Sequence, residues 1–303
     1  MNIHPLRKKI QEFKYFNGQS AIFASRANAK NFKFLWDSKV KVYSQFGEDG
    51  IIDYLSESLN LSKPRMLEIG AGDFNECNSR WLAEFRSSPI YAVDIKNDLV
   101  KSIQKSGLLW KTHLFSSNEW VTPENISEIV QNAIDVLGGV DIFSLDLDGN
   151  DYWILEAAEI SMAKIVIVEY NPLFGPNHKV TVPREDTFDR SNKHHSWLYY
   201  GASLKAFIDL LEIRGFSFMG TNRVGNNAFF VQSNLSGRFS LLPRSDLSIF
   251  TDWPIRDSRS KSGQLNYLSE NRRIVEMGEM PVLDLTANSI ISVKDLFSQN
   301  KEI

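Results

Sequence analysis

Cysteine is almost missing from this chain: Cys77 stands alone among 303 residues. A single thiol excludes an intramolecular disulfide framework and a paired-cysteine metal knuckle. It suits a reducing compartment, and a cytoplasmic setting is expected. Basic excess is missing too, since 34 Lys and Arg face 37 Asp and Glu for a formal charge of −3. Without that electrostatic footprint no nucleic-acid partner is expected. No apolar run approaches the roughly 18 residues of a spanning helix, so no stable membrane insertion is expected. The opening stretch MNIHPLRKKIQEFKYF carries charges throughout and lacks the apolar core of about 7 to 15 residues that a signal peptide requires. Within it Arg7, Lys8, Lys9 and Lys14 interleave with Ile10, Phe13 and Phe16. That pattern reads as the solvated face of an amphipathic helix, with a weak membrane-surface helix as the other reading. Internal repeats and low-complexity segments are also absent, which leaves one continuous architecture to read.

What is present is a 43% hydrophobic composition, enough for a sizeable core. Residues 65–69 (RMLEI), 90–94 (IYAVD), 140–146 (VDIFSLD) and 164–170 (KIVIVEY) are short, β-branched and apolar almost without alternation. Strands buried on both faces of a parallel sheet have this appearance. Ile126, Ile129, Val130, Ala133, Ile134 and Leu137 recur at helical spacing, and Thr122 with Pro123 offers a cap and first-turn proline. A second helix is expected after Ser203, with Gly215 past its end. The runs FSFMG and NAFFVQ flank the turn-rich TNRVGN, the pattern of an antiparallel hairpin. The expected fold is therefore α/β, a Rossmann-like sheet, mostly parallel and closed by a hairpin. Residues 1–40 read as a helical extension, 41–233 as the catalytic domain, and 234–303 as an extension packed on the core.

In such a sheet, ligands sit beyond the carboxyl ends of the strands. The loop after the first strand reads LEIGAGDFNECNS, where Gly70 and Gly72 let the backbone turn and approach a ligand. A dinucleotide fingerprint would place a third small residue where Asn75 stands, which argues against a nicotinamide-dependent oxidoreductase. Glu68, Asp73 and Glu76 crowd the turn, so it suits a ligand with amines and positive charge better than phosphates. Asp94 ends the second strand 22 residues after Gly72, where an acid can accept hydrogen bonds from two ribose hydroxyls. Glycine turn and strand-terminal acid together point to a nucleoside cofactor.

LEIGAG followed by AVDI resembles the class I S-adenosylmethionine-dependent methyltransferases. YSQFGEDGII at 43–52 is similar to the opening motif of their FkbM-like branch, many of whose members methylate sugar or polyketide hydroxyls. The resemblance covers roughly residues 41–233. It implies S-adenosylmethionine as cofactor, with Glu68, Gly70 and Gly72 lining its methionine and ribose part and Asp94 holding the ribose. Ser44, Gln45, Gly47 and Glu48 would close over it, and Asp146 would border it. The plain alternative for SQFGEDG is a capped helix start, Ser44 with Glu48 and Asp49 opposing the helix dipole. One departure stands out: the branch carries a DVEG-type sequence after its fourth strand, where this chain has DLDGND.

The stretch SLDLDGNDYWIL invites a calcium-loop reading, but counted from Asp146 the glycine falls at position four and position twelve is Ala157. Asn150 and Asp151 read as caps of the following helix, which leaves Asp146 and Asp148 unassigned. Glu169 and Asn171 end the neighbouring strand and should project beside them. Carboxylates that close require a cation, a proton or a hydroxyl-rich substrate. Asp146, Asp148 and Glu169 could thus ligate a divalent ion such as Mg²⁺, or hold a sugar. Methyl transfer also needs the acceptor's proton removed. The candidates are His194 and His195, within a connection of nearly thirty residues, with Asp148 or Glu169 as alternatives. Asn227 reaches toward the same place from the hairpin, while Trp153, Phe229 and Phe230 read as core. The expected activity is O-methylation of a sugar or glycan-precursor hydroxyl, with a non-catalytic methyltransferase-like scaffold as a second rival.

Overall fold

The computed structural model describes residues 4–96, 98–241, 246–251, 254–269 and 271–298, and from residue 9 onward their side chains. The outermost residues of both extensions, the side chains of Arg7 and Lys8, and parts of the stretch RSDLSIFTDWPIRDSRSKSGQ lie outside the described residues. In chain order, α1 (His4–Asn28) and α2 (Glu48–Ser58) precede β1 (Met66–Ile69), β2 (Ile90–Val93), α3 (Asp98–Lys105) and β3 (Leu114–Ser117). There follow α4 (Ile126–Leu137), β4 (Ile142–Leu145), α5 (Asp151–Ala157), β5 (Ile165–Glu169), β6 (Val180–Thr181), α6 (Arg190–Lys193) and α7 (Leu204–Ile213). The chain ends through β7 (Phe216–Thr221), β8 (Asn227–Gln232), α8 (Asn271–Glu276), β9 (Pro281–Asp284), β10 (Ser289–Ser292) and α9 (Val293–Ser298).

Among the described residues seven strands form one sheet in the order β3-β2-β1-β4-β5-β8-β7. β1 to β5 run parallel, and β8 is antiparallel to both β5 and β7. This is the expected Rossmann-like α/β sheet, mostly parallel, with the hairpin at its edge. The apolar runs are unbroken because both faces are covered. Leu67, Ile69, Phe143, Leu145, Val166 and Val168 meet α4, α5 and α7, while Met66, Ile142, Ile165 and Ile167 meet α2 and α3. Successive residues point to opposite faces, so each strand feeds two cores.

The structure corrects several local expectations. α4 begins one turn after Thr122, because Asn125 Oδ1 accepts from the Thr122 N–H at 2.8 Å and the turn it closes precedes the helix. β3 has one buried residue in four and is too polar to stand out as a run. The C-terminal extension holds more order than its composition suggested: β9 and β10 pair with each other and β9 with β6, making a second, antiparallel sheet of order β10-β9-β6. Its core joins Phe174, Val182 and Tyr200 of the long connection to Met277, Val282 and Leu296 of the extension. At the other end, α1 lies on Val42, Tyr43 and Trp81 through Ile22. No described helix is long and apolar enough to cross a membrane.

Candidate functional site

The strand order reverses between β1 and β4, and a cleft of about 620 Å³ opens there. Gly70 and Gly72 from the β1 loop, Asp94 after β2 and Asp146 to Asp148 after β4 form its floor. Trp120 and Val121 close one side, and Arg190, Trp197, Asp257 and Arg259 the other. A crevice at the switch point of a parallel sheet is where this architecture binds its ligands.

The two glycines have different reasons to be glycine. A Cβ on Gly70 would stand 1.6 Å from the carbonyl oxygen of Asp146, so the residue is dictated by how closely the β1 and β4 loops cross. Gly72, with φ of +60°, has nothing within 4 Å of that position and leaves the cleft floor open. Asp94 fixes this floor: its Oδ2 accepts from the Gly72 N–H at 2.7 Å and its Oδ1 from the Lys96 N–H at 2.8 Å. Each oxygen retains a lone pair toward a ligand.

Asp146, Asp148 and Glu169 come together as expected, with one oxygen from each lying within 4.8 Å of the others. Glu169 is buried, and its Oε2 has no hydrogen-bond partner. Its Oε1 takes a long contact, 3.5 Å, from Asn226 Nδ2, and the Asp146 and Glu169 carboxyls share a side-chain hydrogen bond. Desolvation, reinforced by Asp146 and Asp148, pushes the Glu169 carboxyl well above the usual carboxylate range. Desolvation and the charges of Asp148 and Asp151 do the same to Asp146. Asp148 adopts a left-handed backbone, φ 57°, which aims an exposed carboxylate into the cleft. Its partner is Arg190, whose Nη1 donates to Asp148 Oδ1 at 2.5 Å while the guanidinium lies 3.8 Å from the Tyr200 ring centroid. Desolvation first, and then the neighbouring acids, make Asp146 and Glu169 resist ionisation, with Arg190 working against both effects.

Nearby acids are structural. Asp151 accepts from the Leu147 and Gly149 N–H groups and staples the turn, and burial raises its pKa to about 6. Asn150 makes no side-chain cap bond and instead meets the backbone of Glu185, Nδ2 donating to the carbonyl at 2.5 Å. Asn171 Nδ2 donates to the carbonyls of Leu198 and Tyr200, so this amide is spent on the long connection.

Other sequence-predicted residues fall outside the cleft walls. Glu68 is buried, its two oxygens accepting from the N–H groups of Asn78 and Ser79 at 2.7 and 3.0 Å, so it anchors the next segment. Ser44 is buried and its Oγ accepts from the Asp49 N–H, the geometry of a capped helix start. Gly47 turns with φ of +102° against Lys39 and Val40, and Gln45 is exposed with its carbonyl held by Lys41 Nζ. Glu48 is buried, taking Asn222 Nδ2 at 2.5 Å and, at 3.4 Å, Asn227 Nδ2. His194 Nδ1 lies 2.7 Å from Ser196 Oγ, and His195 Nε2 lies 2.7 Å from Glu276 Oε1. Desolvation and then His195 lower the pKa of His194. The long connection does reach the cleft, but through Arg190 and Trp197 rather than the histidines. Arg190, Trp197, Trp120, Asp257 and Arg259 carried no individual signal in the sequence, since only tertiary folding brings them to one wall.

No family model matches the chain, and no curated protein does. Among solved structures it is similar to a fibrillarin pre-rRNA processing protein of Methanococcus jannaschii, at 11% identity and a TM-score of 0.37 over 57% of this chain and 67% of that one. An S-adenosylmethionine-dependent methyltransferase of Clostridium acetobutylicum matches at 12% identity and 0.38, covering 61% and 89%. An O-methyltransferase family 2 protein of Planctomyces limnophilus matches at 11% and 0.33, covering 56% and 50%. At these scores the likenesses carry no weight for function.

Proposed function

We propose that the chain is an S-adenosylmethionine-dependent methyltransferase that methylates a hydroxyl of a sugar or glycan precursor. The observation that carries this reading is the cleft at the β1/β4 switch point, whose floor combines an open glycine, a ribose-competent carboxylate and Asp146, a carboxyl group of raised proton affinity with buried Glu169 beside it. Asp94 accepts the ribose hydroxyls, and exposed Ile95 with Val121 and Trp120 offers apolar surface for an adenine. The cofactor supplies an electrophilic methyl group and a positive charge suited to a carboxylate-rich floor. With the cofactor's positive charge favouring its ionised form, one of Asp146 and Glu169 takes the acceptor's proton, and its raised proton affinity favours that transfer. Trp197, Arg190 and Asp257 form the wall against which a polar ring is oriented, which is the positioning on which in-line transfer depends.

The same three carboxyl groups fit a divalent ion such as Mg²⁺ in this reading. All donors are oxygen, the set is compact, and Glu169 Oε2 is buried without a donor. Asp146, Asp148 and Glu169 would hold the ion, and its charge would lower the proton affinity of an adjacent hydroxyl. A Mg²⁺ titration followed by thermal denaturation tests this part: an upward shift is expected, and no shift would overturn the metal site.

Calorimetric titration with S-adenosylhomocysteine and with NAD tests the whole. Binding of the first and not the second is expected, and Asp94→Ala should abolish it. The reverse pattern would favour the oxidoreductase, for which Asn75 is the wrong residue: its side chain is held by Arg80 and Asp73. Binding of neither would favour a non-catalytic scaffold.

A further inference from the structure

Helix α1 is apolar on two faces, and only one of them is used. Its inner face seats Gly18 so tightly that a Cβ would stand 2.7 Å from Val42, with Ile22 fully buried beside it. On the outer face Ile10, Phe13, Phe16 and Phe23 are 54%, 71%, 63% and 51% exposed. The turn after α3 adds Leu109 and Trp110, the latter 84% exposed. Lys111, the next residue, ties this turn to the helix, its Nζ lying 5.4 Å from the Tyr15 ring centroid. Exposed aromatics clustered in this way mark an interaction surface rather than a solvated helix face.

Charge selects the partner. Residues 1–34 contain Arg7, Lys8, Lys9, Lys14, Arg26, Lys30 and Lys33 against Glu12 alone; Arg26 is taken up by Asp53 and Glu57 and Lys14 lies over the Tyr43 ring, but the segment stays basic in a chain that carries −3. A second copy docked symmetrically would press this basic segment against its own duplicate. An anionic bilayer would accept both the charge and the aromatics, as interfacial helices do, with about a fivefold gain in affinity per basic residue near the surface. We propose that α1 and the 108–111 turn form a peripheral docking surface for an anionic lipid membrane. The helix lies in the interface plane, its Phe side chains and Trp110 at headgroup depth and the lysines against lipid phosphates. Independent of the methyl-transfer reading, this inference requires neither cofactor nor turnover.

Co-sedimentation of the full chain with phosphatidylcholine vesicles, with and without phosphatidylglycerol, tests it. Pelleting with the anionic vesicles at low salt is expected, lost in high salt and reduced at least about tenfold in the double variant Phe13→Ser, Phe16→Ser. Lys8→Glu with Lys9→Glu should reduce it similarly, with circular dichroism unchanged in both variants. Failure of the wild type to pellet, or equal pelleting of wild type and variants, would overturn the proposal. So would sedimentation velocity showing a lipid-free oligomer that Phe13→Ser, Phe16→Ser converts to monomer, since the face would then belong to a second copy.

Discussion

Glu68 and Glu169 are two buried glutamates near the ends of strands in one sheet, 3% and 6% exposed, and they have opposite surroundings. Burial pushes both carboxyl groups upward in pKa. At Glu68 the chain supplies two backbone N–H groups and spends the carboxylate on holding residues 78 and 79. At Glu169, among the described residues, no backbone N–H reaches the carboxyl, and its neighbours are two more acids, Arg190 and, at 3.5 Å, Asn226 Nδ2. A buried acid with its donors in place is a structural joint. One without them stores an unmet demand that only a ligand, an ion or a proton can satisfy.

The contrast can be broken most severely on the functional side. Glu169→Gln should lower transfer of labelled methyl to a glycan acceptor by about 10² to 10⁴-fold, the usual worth of a general base. A loss below tenfold would remove Glu169 from the chemistry. On the structural side, Asp49 Oδ2 gathers the N–H groups of Val42, Tyr43 and Ser44 together with Ser44 Oγ. Asp49→Ala orphans these buried donors and should cost roughly 3 kcal/mol in chemical denaturation. Little loss of stability there would mean that the SQFGEDG turn is held by something else.

Asp141 sharpens the comparison with a third environment. Burial alone would raise its pKa, but hydrogen bonds from Arg65 and Lys164 outweigh that and bring it down to about 2. A depressed folded pKa means stability present above the unfolded value near 4 and lost as pH falls toward 2. Acid titration of stability should therefore show a loss of about 2 kcal/mol in that window that Asp141→Asn lacks. The smallest effect belongs to the histidines. His194→Ala with His195→Ala should change methyl transfer less than about threefold, because both rings are engaged outside the cleft walls, where a general base would lack reach to the proton. A larger loss would restore one of them as base.

Much of the fold was legible because strands covered on both faces leave unbroken apolar runs, as at 142–145 and 165–169. β3, β9 and β10 were not, since their partly exposed residues break any run. That Gly72, Asp94, Asp146 and Asp148 line one cleft, with Glu169 beside the last two, was readable from their places at strand ends. The fate of Glu68 was not, because its donors ten and eleven residues away are backbone groups common to every residue type. Arg190 and Trp197 were equally silent, since a wall built from a long connection depends on where β6 and β9 pin it.

The central claim is that withheld donors, rather than burial, separate the two glutamates. Urea denaturation of Glu68→Gln and Glu169→Gln side by side tests it directly. The account predicts a loss of about 1 to 3 kcal/mol for Glu68→Gln, where an amide NH₂ replaces one acceptor, and unchanged or increased stability for Glu169→Gln. Equal losses in the two variants, or a larger loss at Glu169, would contradict it.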